Sequence, residues 1–146
     1  MGEWNKVFIT PQKFHDDIIK LAELIRPHKD KYKMVHGIPK GGSVIASYIA
    51  YYLDLENIMD EQVGDLSDVD DLPLLLIDDL VDTGATLNKY TWELEDDGDN
   101  PIFDSAVLYY KPRSLIKPTY YVEEFKNDTW IVYPYEKIDE IPNREI

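Results

Sequence analysis

The sequence contains no cysteine, and it has only 15 lysine and arginine residues against 29 aspartate and glutamate residues. Without a thiol, the chain can form no disulfide, no thiolate metal site and no cysteine nucleophile. The excess of negative charge argues against nucleic acid and anionic membranes as partners, because the field of the protein would repel them. It also means that a phosphate ligand would need a metal ion, backbone N–H groups and a few well-placed cations.

Long hydrophobic runs are also missing. No stretch approaches the roughly 20 apolar residues that a membrane-spanning helix needs, and the start of the chain does not resemble a signal peptide. At 146 residues, 44% of them hydrophobic, the chain has the size of one domain with one core. We therefore expect a single domain, residues 1–146, in the cytoplasm.

His15, His28 and His36 lack metal-ligand spacing and are expected at the surface or in the core.

Two helices are predicted in the first part of the chain. Thr10 and Pro11 form a helix start, a hydroxyl cap followed by proline at the first helical position, and Pro27 is expected to end that helix. Its predicted apolar face consists of Phe14, Ile18, Leu21 and Ile25. A strand from Tyr32 to Ile38 and a glycine turn lead into the second helix. The predicted inner face of the second helix consists of Ile45, Tyr48, Ile49 and Tyr52.

The rest of the chain predicts further strands and one more helix. Residues 54–73 hold eight acidic residues and no basic one, which favours a flexible loop. Leu74–Ile77 predicts a strand covered on both faces, followed by a helix from about Gly84 to Gly98. Strands are also predicted at 106–110 and 129–133. This alternation predicts an α/β fold, a single-domain open and mainly parallel sheet with helices on both faces.

The most informative segment is Leu74–Thr86, LLLIDDLVDTGAT. In open α/β sheets, ligands bind beyond the carboxyl ends of the strands, and the polar part of this segment lies at such an end. Two adjacent carboxylates, Asp78 and Asp79, repel each other unless a cation or hydroxyl donors lie near them. A polar strand end that caps nearby backbone is the structural alternative. A magnesium-bound sugar diphosphate would supply both the cation and the hydroxyls.

The next four residues, Thr83, Gly84, Ala85 and Thr86, can form a cradle for a phosphate group. Gly84 and the small Ala85 allow backbone N–H groups to approach closely, and a helix N-terminus favours an anion. Asp82 or Thr83 could instead simply cap a helix. A cap alone explains neither the paired carboxylates nor their position at a strand end.

Together these segments resemble type I phosphoribosyltransferases, above all the bacterial xanthine-guanine and hypoxanthine-guanine enzymes. LLLIDDLVDTGAT resembles their signature for phosphoribosyl pyrophosphate (PRPP), and residues 37–42 resemble their pyrophosphate loop. Residues 110–112 resemble the segment that carries their purine-carbonyl lysine, and 128–131 their purine-stacking segment. The resemblance extends from about Phe8 to Glu136. It implies the type I fold with a small hood, here residues 111–136, over the base.

The resemblance implies a role for each candidate residue. Lys40, Gly41 and Gly42 would hold pyrophosphate, and the peptide bond entering Lys40 is expected to be cis. The 5-phosphate would be held by Thr83, Gly84, Ala85 and Thr86, and the ribose hydroxyls by Asp78 and Asp79, directly or through magnesium. Asp82 would act as general acid or base at N7 of the purine. The base would be bound by Lys111, which donates to O6, by Trp130, which stacks on it, and by the Ile131 carbonyl.

Other implications concern the cofactor, the partners and the activity. The resemblance implies magnesium as the cofactor, with Glu136 near a second ion, PRPP and a purine base as partners, and a homo-oligomer, dimer or tetramer. The expected activity is purine salvage: transfer of ribose 5-phosphate to N9 of guanine, xanthine or hypoxanthine. Relatives carry a Ser-Tyr pair or basic residues in the loop that corresponds to 54–73, whereas here that loop is acidic. This difference is the best support for one alternative, a non-catalytic protein that binds PRPP or nucleotides. A transferase for another base is a second alternative.

Overall fold

A computed structural model of the chain describes residues 5–58, 74–89 and 103–136. No helix in these ranges is long and apolar enough to cross a membrane. The elements are β1 (Asn5–Phe8), α1 (Pro11–Ile25), a 3₁₀ helix (Arg26–Lys31), β2 (Met34–Gly37), α2 (Gly41–Leu53), β3 (Glu56–Asn57), β4 (Leu74–Val81), α3 (described over 85–89), β5 (Phe103–Tyr110), β6 (Tyr120–Glu124) and β7 (Thr129–Val132).

The strands form two parallel sheets. The main sheet has the order β3-β2-β4-β5-β6, and every neighbouring pair in it is parallel. A separate two-stranded sheet pairs β1 with β7, with Lys6 opposite Trp130. The predicted mainly parallel sheet is confirmed. The stretch 111–136 contributes β6 to the main sheet and β7 to the small one.

Helices cover both faces of the main sheet, as the sequence predicts. Alternate residues of β4 point to opposite sides, because side chains alternate along a strand. Leu75 and Ile77 belong to the core that α1 and α2 cover. Leu76 belongs to the core on the other face, where Leu87 of α3 also packs.

The first helix begins as predicted. The Thr10 hydroxyl accepts a hydrogen bond from the Lys13 N–H at 3.1 Å, and Pro11 occupies the first turn. The α-helix ends at Ile25, two residues before Pro27, and the chain continues as a 3₁₀ helix. Its predicted apolar face, Phe14, Ile18, Leu21 and Ile25, is buried.

The predicted inner face of α2 is wrong for its two tyrosines. Tyr48 and Tyr52 are 41% and 39% exposed, and Tyr48 packs edge-on against His15. The buried face instead consists of Gly41, Gly42, Ile45, Ala46, Ile49, Ala50 and Leu53. Nearly every residue of α2 is apolar or small, so the periodicity does not identify one face, and small residues allow the closer approach to the sheet.

Several strand bounds differ from the predicted ones. The strand predicted over Tyr32–Ile38 spans only Met34–Gly37. The strand predicted to end at Ile77 continues to Val81, because β5, which itself starts earlier at Phe103, runs alongside and supplies hydrogen-bond partners. The strand predicted over 129–133 ends at Val132. The short strands β1, β3 and β6 were not predicted.

The acidic stretch 54–73 is described only at its beginning. Asp54 caps α2 in the left-handed conformation, with φ 56°, and Glu56 and Asn57 form β3 beside β2. Residues 59–73, and the predicted third helix beyond residue 89, lie outside the described residues. His36 is a core histidine, whose Nδ1 lies 2.8 Å from the Ile58 carbonyl.

Candidate active site

The two adjacent carboxylates lie in the last half of β4, at the carboxyl end of the sheet. The Asp78 carboxylate accepts a hydrogen bond from the Asp79 N–H at 2.8 Å. Burial, followed by the charge of Asp79, raises the pKa of Asp78 to about 9. The Asp78 carboxyl therefore keeps its proton at neutral pH until a cation approaches.

A tyrosine from the end of the described chain reaches the second carboxylate. The Tyr135 hydroxyl donates a hydrogen bond to Asp79 Oδ2, and the Tyr133 hydroxyl donates to the Asp79 carbonyl at 3.1 Å. Burial and the charge of Asp79 raise the pKa of Tyr135, so its hydroxyl stays a donor. A Cβ atom at Gly41 would collide with the Asp79 carboxylate and the Tyr135 hydroxyl. A side chain at position 41 would therefore require the Asp79 carboxylate and the Tyr135 hydroxyl to shift.

The predicted pyrophosphate loop joins β2 to α2. The Pro39–Lys40 peptide bond is cis, as the resemblance implies. Lys40 is exposed at the N-cap position, and Gly41 and Gly42 begin the helix. The loop thus presents a cation and a helix N-terminus beside Asp79.

The predicted phosphate cradle surrounds a small cavity, which is lined by Asp78, Leu80, Val81, Asp82, Thr83, Gly84, Ala85, Thr86 and Leu87. Gly84 has φ 86°, a conformation that favours glycine. The Thr83 hydroxyl accepts from the Ala85 N–H at 3.2 Å, and α3 starts there. The structure therefore brings all four predicted cradle residues together at a helix N-terminus.

The predicted base-binding residues meet in a second cavity, lined by Asp79, Leu80, Asp82, Lys111, Thr129, Trp130, Ile131, Tyr133 and Glu136. Lys111 is 3% exposed, and its Nζ lies 3.5 Å from Asp82 Oδ1. Trp130 is 43% exposed, which argues against a core aromatic. The Lys6 ammonium lies 4.6 Å from the centre of the Trp130 ring. One face of the indole is therefore engaged by a cation, and the other can take a flat ligand.

The predicted magnesium ligands do not form one cluster. Asp79 and Glu136 line the base cavity, whereas Asp78 lines the cradle cavity. Within the described ranges, no three histidine, aspartate or glutamate side chains converge as a metal site. Magnesium commonly binds one or two carboxylates and completes its shell with water and substrate phosphates. The carboxylate oxygens of Asp78 and Asp79 suit that mode, with a metal that arrives on a diphosphate.

A known family model, the phosphoribosyl transferase domain, matches residues 8–137 of the chain. The chain belongs to the phosphoribosyltransferase family. The matched range contains both cavities, the pyrophosphate loop, the main sheet and β7.

Individual relatives agree with this assignment to the phosphoribosyltransferases. The chain is 33% identical to the xanthine-guanine phosphoribosyltransferase of Desulfotalea psychrophila over 122 residues, 74% of this chain and 72% of that protein. It is 30% identical to the enzyme of the same name from Nitratidesulfovibrio vulgaris, over 91% of this chain and 86% of that protein. A purine phosphoribosyltransferase structure from Pyrococcus horikoshii superimposes with a TM-score of 0.74 at 27% identity, covering 97% of this chain and 99% of that one.

Three residues of this phosphoribosyltransferase site were not predicted: Lys6, Arg113 and Tyr135. Arg113 contacts Asp82, Tyr135 contacts Asp79 and Lys6 contacts Trp130. Each partner is distant in sequence, 31 residues for Arg113 and 56 for Tyr135. No local sequence pattern therefore links Lys6, Arg113 or Tyr135 to its partner. The nearest signal for Arg113 was its place two residues after Lys111.

Proposed function

We propose that this chain is a purine salvage phosphoribosyltransferase that transfers ribose 5-phosphate from PRPP to N9 of a 6-oxopurine, guanine, xanthine or hypoxanthine, and releases pyrophosphate. The observation that carries this proposal is the pair of opposite charges in the base cavity, Lys111 Nζ and Asp82 Oδ1, 3.5 Å apart. O6 and N7 are neighbouring atoms on one edge of a 6-oxopurine. An ammonium donor beside a carboxylate is complementary to a carbonyl beside a protonated ring nitrogen.

The other contacts of the base fit the same orientation. Trp130 provides an aromatic face, and Ile131 lines the same cavity. Because Lys111 has donors and no acceptor, it favours a base carbonyl over the amino group of adenine. Lys111 is 3% exposed, and this burial strengthens that preference, since placing a second donor against a buried ammonium is costly.

The proposed roles of the remaining residues follow their positions. Thr83–Thr86 hold the 5-phosphate, Asp78 and Asp79 hold the ribose hydroxyls, and Lys40, Gly41 and Gly42 hold pyrophosphate. Magnesium, when bound with PRPP, neutralises charge on the diphosphate. The carboxylates of Asp78, Asp79 and Glu136 are the groups that would hold it.

The bond changes in the proposed reaction balance without a further reagent. The bond between the first ribose carbon and pyrophosphate breaks, and its electron pair leaves with pyrophosphate, which Lys40 stabilises. N9 of the base forms the new bond to that carbon, and the N7 proton passes to Asp82. The protein mainly positions the reactants and neutralises charge.

The test is PRPP consumption by the purified protein, with magnesium, against guanine, xanthine, hypoxanthine and adenine. We expect turnover with at least one oxopurine and little with adenine. Turnover with adenine alone would indicate a transferase for another base. PRPP binding without turnover of any base would indicate a binding protein instead.

A further inference from the structure

Residues 111–116, which we call the strap, follow β5 and are joined to the end of β4 by two backbone hydrogen bonds. The Lys111 N–H donates to the Val81 carbonyl at 3.0 Å, and the Leu115 N–H donates to the Thr83 carbonyl at 3.0 Å. Lys111 lines the base cavity, and Thr83 lines the cradle cavity. The strap therefore connects the two cavities through the protein backbone.

The Ser114 hydroxyl stabilises the second half of the strap. It donates to the Ile116 carbonyl at 2.6 Å and accepts from the Ile116 N–H at 3.2 Å. The Ser114 N–H also donates to the Lys111 carbonyl at 3.0 Å. A serine hydroxyl that bonds to the backbone two residues away closes a tight local turn. The strap is therefore a folded turn, and the Ser114 hydroxyl makes two of the hydrogen bonds that hold its shape.

This turn packs directly on the phosphate cradle. A Cβ atom at Gly84 would lie 2.7 Å from the Ser114 hydroxyl oxygen, 3.1 Å from the Ile116 nitrogen and 3.2 Å from the Leu115 nitrogen. The strap thus occupies the space that a side chain at position 84 would take. Groups packed this closely do not move independently, so a shift of the strap would move the cradle backbone, and the reverse.

The same two segments carry the proposed contacts of the base. Lys111 begins the strap, and Asp82 lies between the two carbonyl acceptors, Val81 and Thr83. The hydrogen bonds that hold the strap on the cradle therefore also fix the backbone positions of Lys111 and Asp82. A phosphate group that orders the cradle would order the strap as well, and a base cavity that is ordered in advance binds its ligand more tightly.

We propose that Ser114 is a positioning residue, which holds the strap on the cradle and thereby couples occupation of the cradle to binding of the base. This inference rests on the proposed function, because the two ligands are those of the proposed reaction. Ser114 is not among the described residues that line either cavity. Its removal should therefore reduce the coupling between the two ligands, with little effect on the binding of each ligand alone.

The test is the dissociation constant of guanine, measured without and with saturating ribose 5-phosphate, whose phosphate group occupies the cradle. Wild type should bind guanine about 5- to 20-fold more tightly with ribose 5-phosphate, within the usual range of coupling between two sites. Ser114→Ala should reduce this factor by about threefold or more, while each ligand alone binds within about twofold of wild type. Ser114→Thr keeps the hydroxyl and should retain most of the coupling.

Two variants of the next residue test the backbone contact. Leu115→Pro removes the N–H that donates to Thr83 and should lower the coupling factor, as Ser114→Ala does. Leu115→Ala keeps that N–H and shortens a side chain that is 86% exposed, so it should have no effect. The control for the hydroxyl is Ser47→Ala, which removes another serine hydroxyl that donates to a backbone carbonyl, that of Ser43 at 3.0 Å.

Thermal melts of all variants separate positioning from a purely structural role. A wild-type coupling factor in Ser114→Ala, with or without a lower melting temperature, would overturn the inference, and so would a wild type that shows no coupling. Guanine turnover by a wild type without coupling would leave the proposed function standing while the inference fails. If wild type neither binds nor turns over any oxopurine, the proposed function fails, and the inference fails with it.

Discussion

Asp82 is held by two cations and lines both cavities, so a change at this residue tests the proposed chemistry directly. Asp82→Asn keeps the size of the side chain and removes its ability to take a proton. Turnover should fall by roughly 10²- to 10⁴-fold, the range for general acid–base catalysis, while PRPP affinity changes little. Turnover and the PRPP dissociation constant are measured beside Asp30→Asn, an exposed aspartate outside both cavities. Unchanged turnover would remove Asp82 from the mechanism, and lost PRPP binding would assign it to the cradle.

Lys111 tests the recognition of the base. Lys111→Met keeps the aliphatic stem and removes the charged donor, so guanine and hypoxanthine should bind about 1.5–3 kcal/mol more weakly. PRPP binding should be nearly unchanged. Equilibrium binding of each substrate is the measurement, with Lys126→Met, an exposed lysine, as the control. An equal loss for both substrates would show that Lys111 has a structural role.

At the residue scale, the sequence predicted the placement of candidate residues correctly where they lie in one continuous segment. Asp78, Asp79, Asp82 and the cradle lie within thirteen residues, and their strand-end position follows from the pattern of Leu74–Thr86 alone. Arg113 and Tyr135 come to the site through the packing of distant segments. Their identity as partners of Asp82 and Asp79 depends on where β5 and β7 end, which no local pattern specifies.

At the scale of elements, the pairing of β1 with β7 positions Trp130, the proposed stacking residue for the base. The register places Lys6 opposite Trp130, and the lysine lies over one face of the indole. The cation–π contact with Lys6 engages one face of the Trp130 indole. In the proposed function, the base stacks on the other face. The strand β1 therefore contributes to the position of Trp130 through its pairing with β7 and through Lys6.

This arrangement predicts the effect of removing the indole. Trp130→Ala should weaken base binding by about 1–3 kcal/mol, the usual contribution of aromatic stacking on a base. Because Trp130 is 43% exposed, the melting temperature should change little. The control is Tyr51→Ala, which removes an aromatic side chain that is 89% exposed on α2. Trp130→Ala with wild-type affinity for the base would contradict a stacking role.

Elements differ in how well their sequence predicts them. The start of α1 followed from a local cap, and the four large apolar residues predicted on its inner face are buried, although Asp17 and Ala22, also buried, were not predicted. The residues of α2 are apolar on nearly all sides, and only the sheet beneath decides which of them are buried. The strand β3 has two residues, too few to show an alternating pattern in the sequence. It forms because the edge of β2 supplies hydrogen-bond partners.

At the scale of the whole molecule, the formal net charge is −14, yet the proposed substrate is itself strongly negative. Local positive groups near the proposed site can offset this repulsion. Lys40 lies in the loop before α2, Lys111 lines the base cavity, and the proposed phosphate sites lie at the N-termini of α2 and α3, which favour anions. Cations and backbone dipoles that contact a ligand attract it over a few ångström. The repulsion from more distant acidic residues is weaker, because ions in solution screen it.

The acidic pair also affects the stability of the free protein. The folded state holds the Asp78 proton up to about pH 9, whereas an unfolded aspartate loses it near 3.9. Between these values the folded state binds more protons than the unfolded state, so stability should fall as the pH rises. Asp78→Asn should raise the stability of the ligand-free protein at pH 8 by on the order of 1–2 kcal/mol and flatten this dependence.

Thermal melts of wild type and Asp78→Asn at pH values from 5 to 9, without magnesium or PRPP, measure this effect. Asp16→Asn on the exposed side of α1 is the control. Equal slopes for Asp78→Asn and wild type would show that Asp78 does not set the pH dependence. The same substitution should lower PRPP affinity, which would make Asp78 a residue that favours function at the expense of stability.

The pairing of β1 with β7 also has a consequence for biosynthesis. Among the described elements, residues 5–8 are translated first, and their partners, residues 129–132, are translated last. Until then the nascent β1 is an unpaired strand with open N–H and C=O groups, the kind of edge that joins other chains. The other sheet can form sooner, because β2, β4 and β5 are all translated before β7. A newly made chain would therefore acquire its phosphate cradle before the small sheet that positions Trp130, and a translation arrest before residue 129 would leave a strand prone to aggregation.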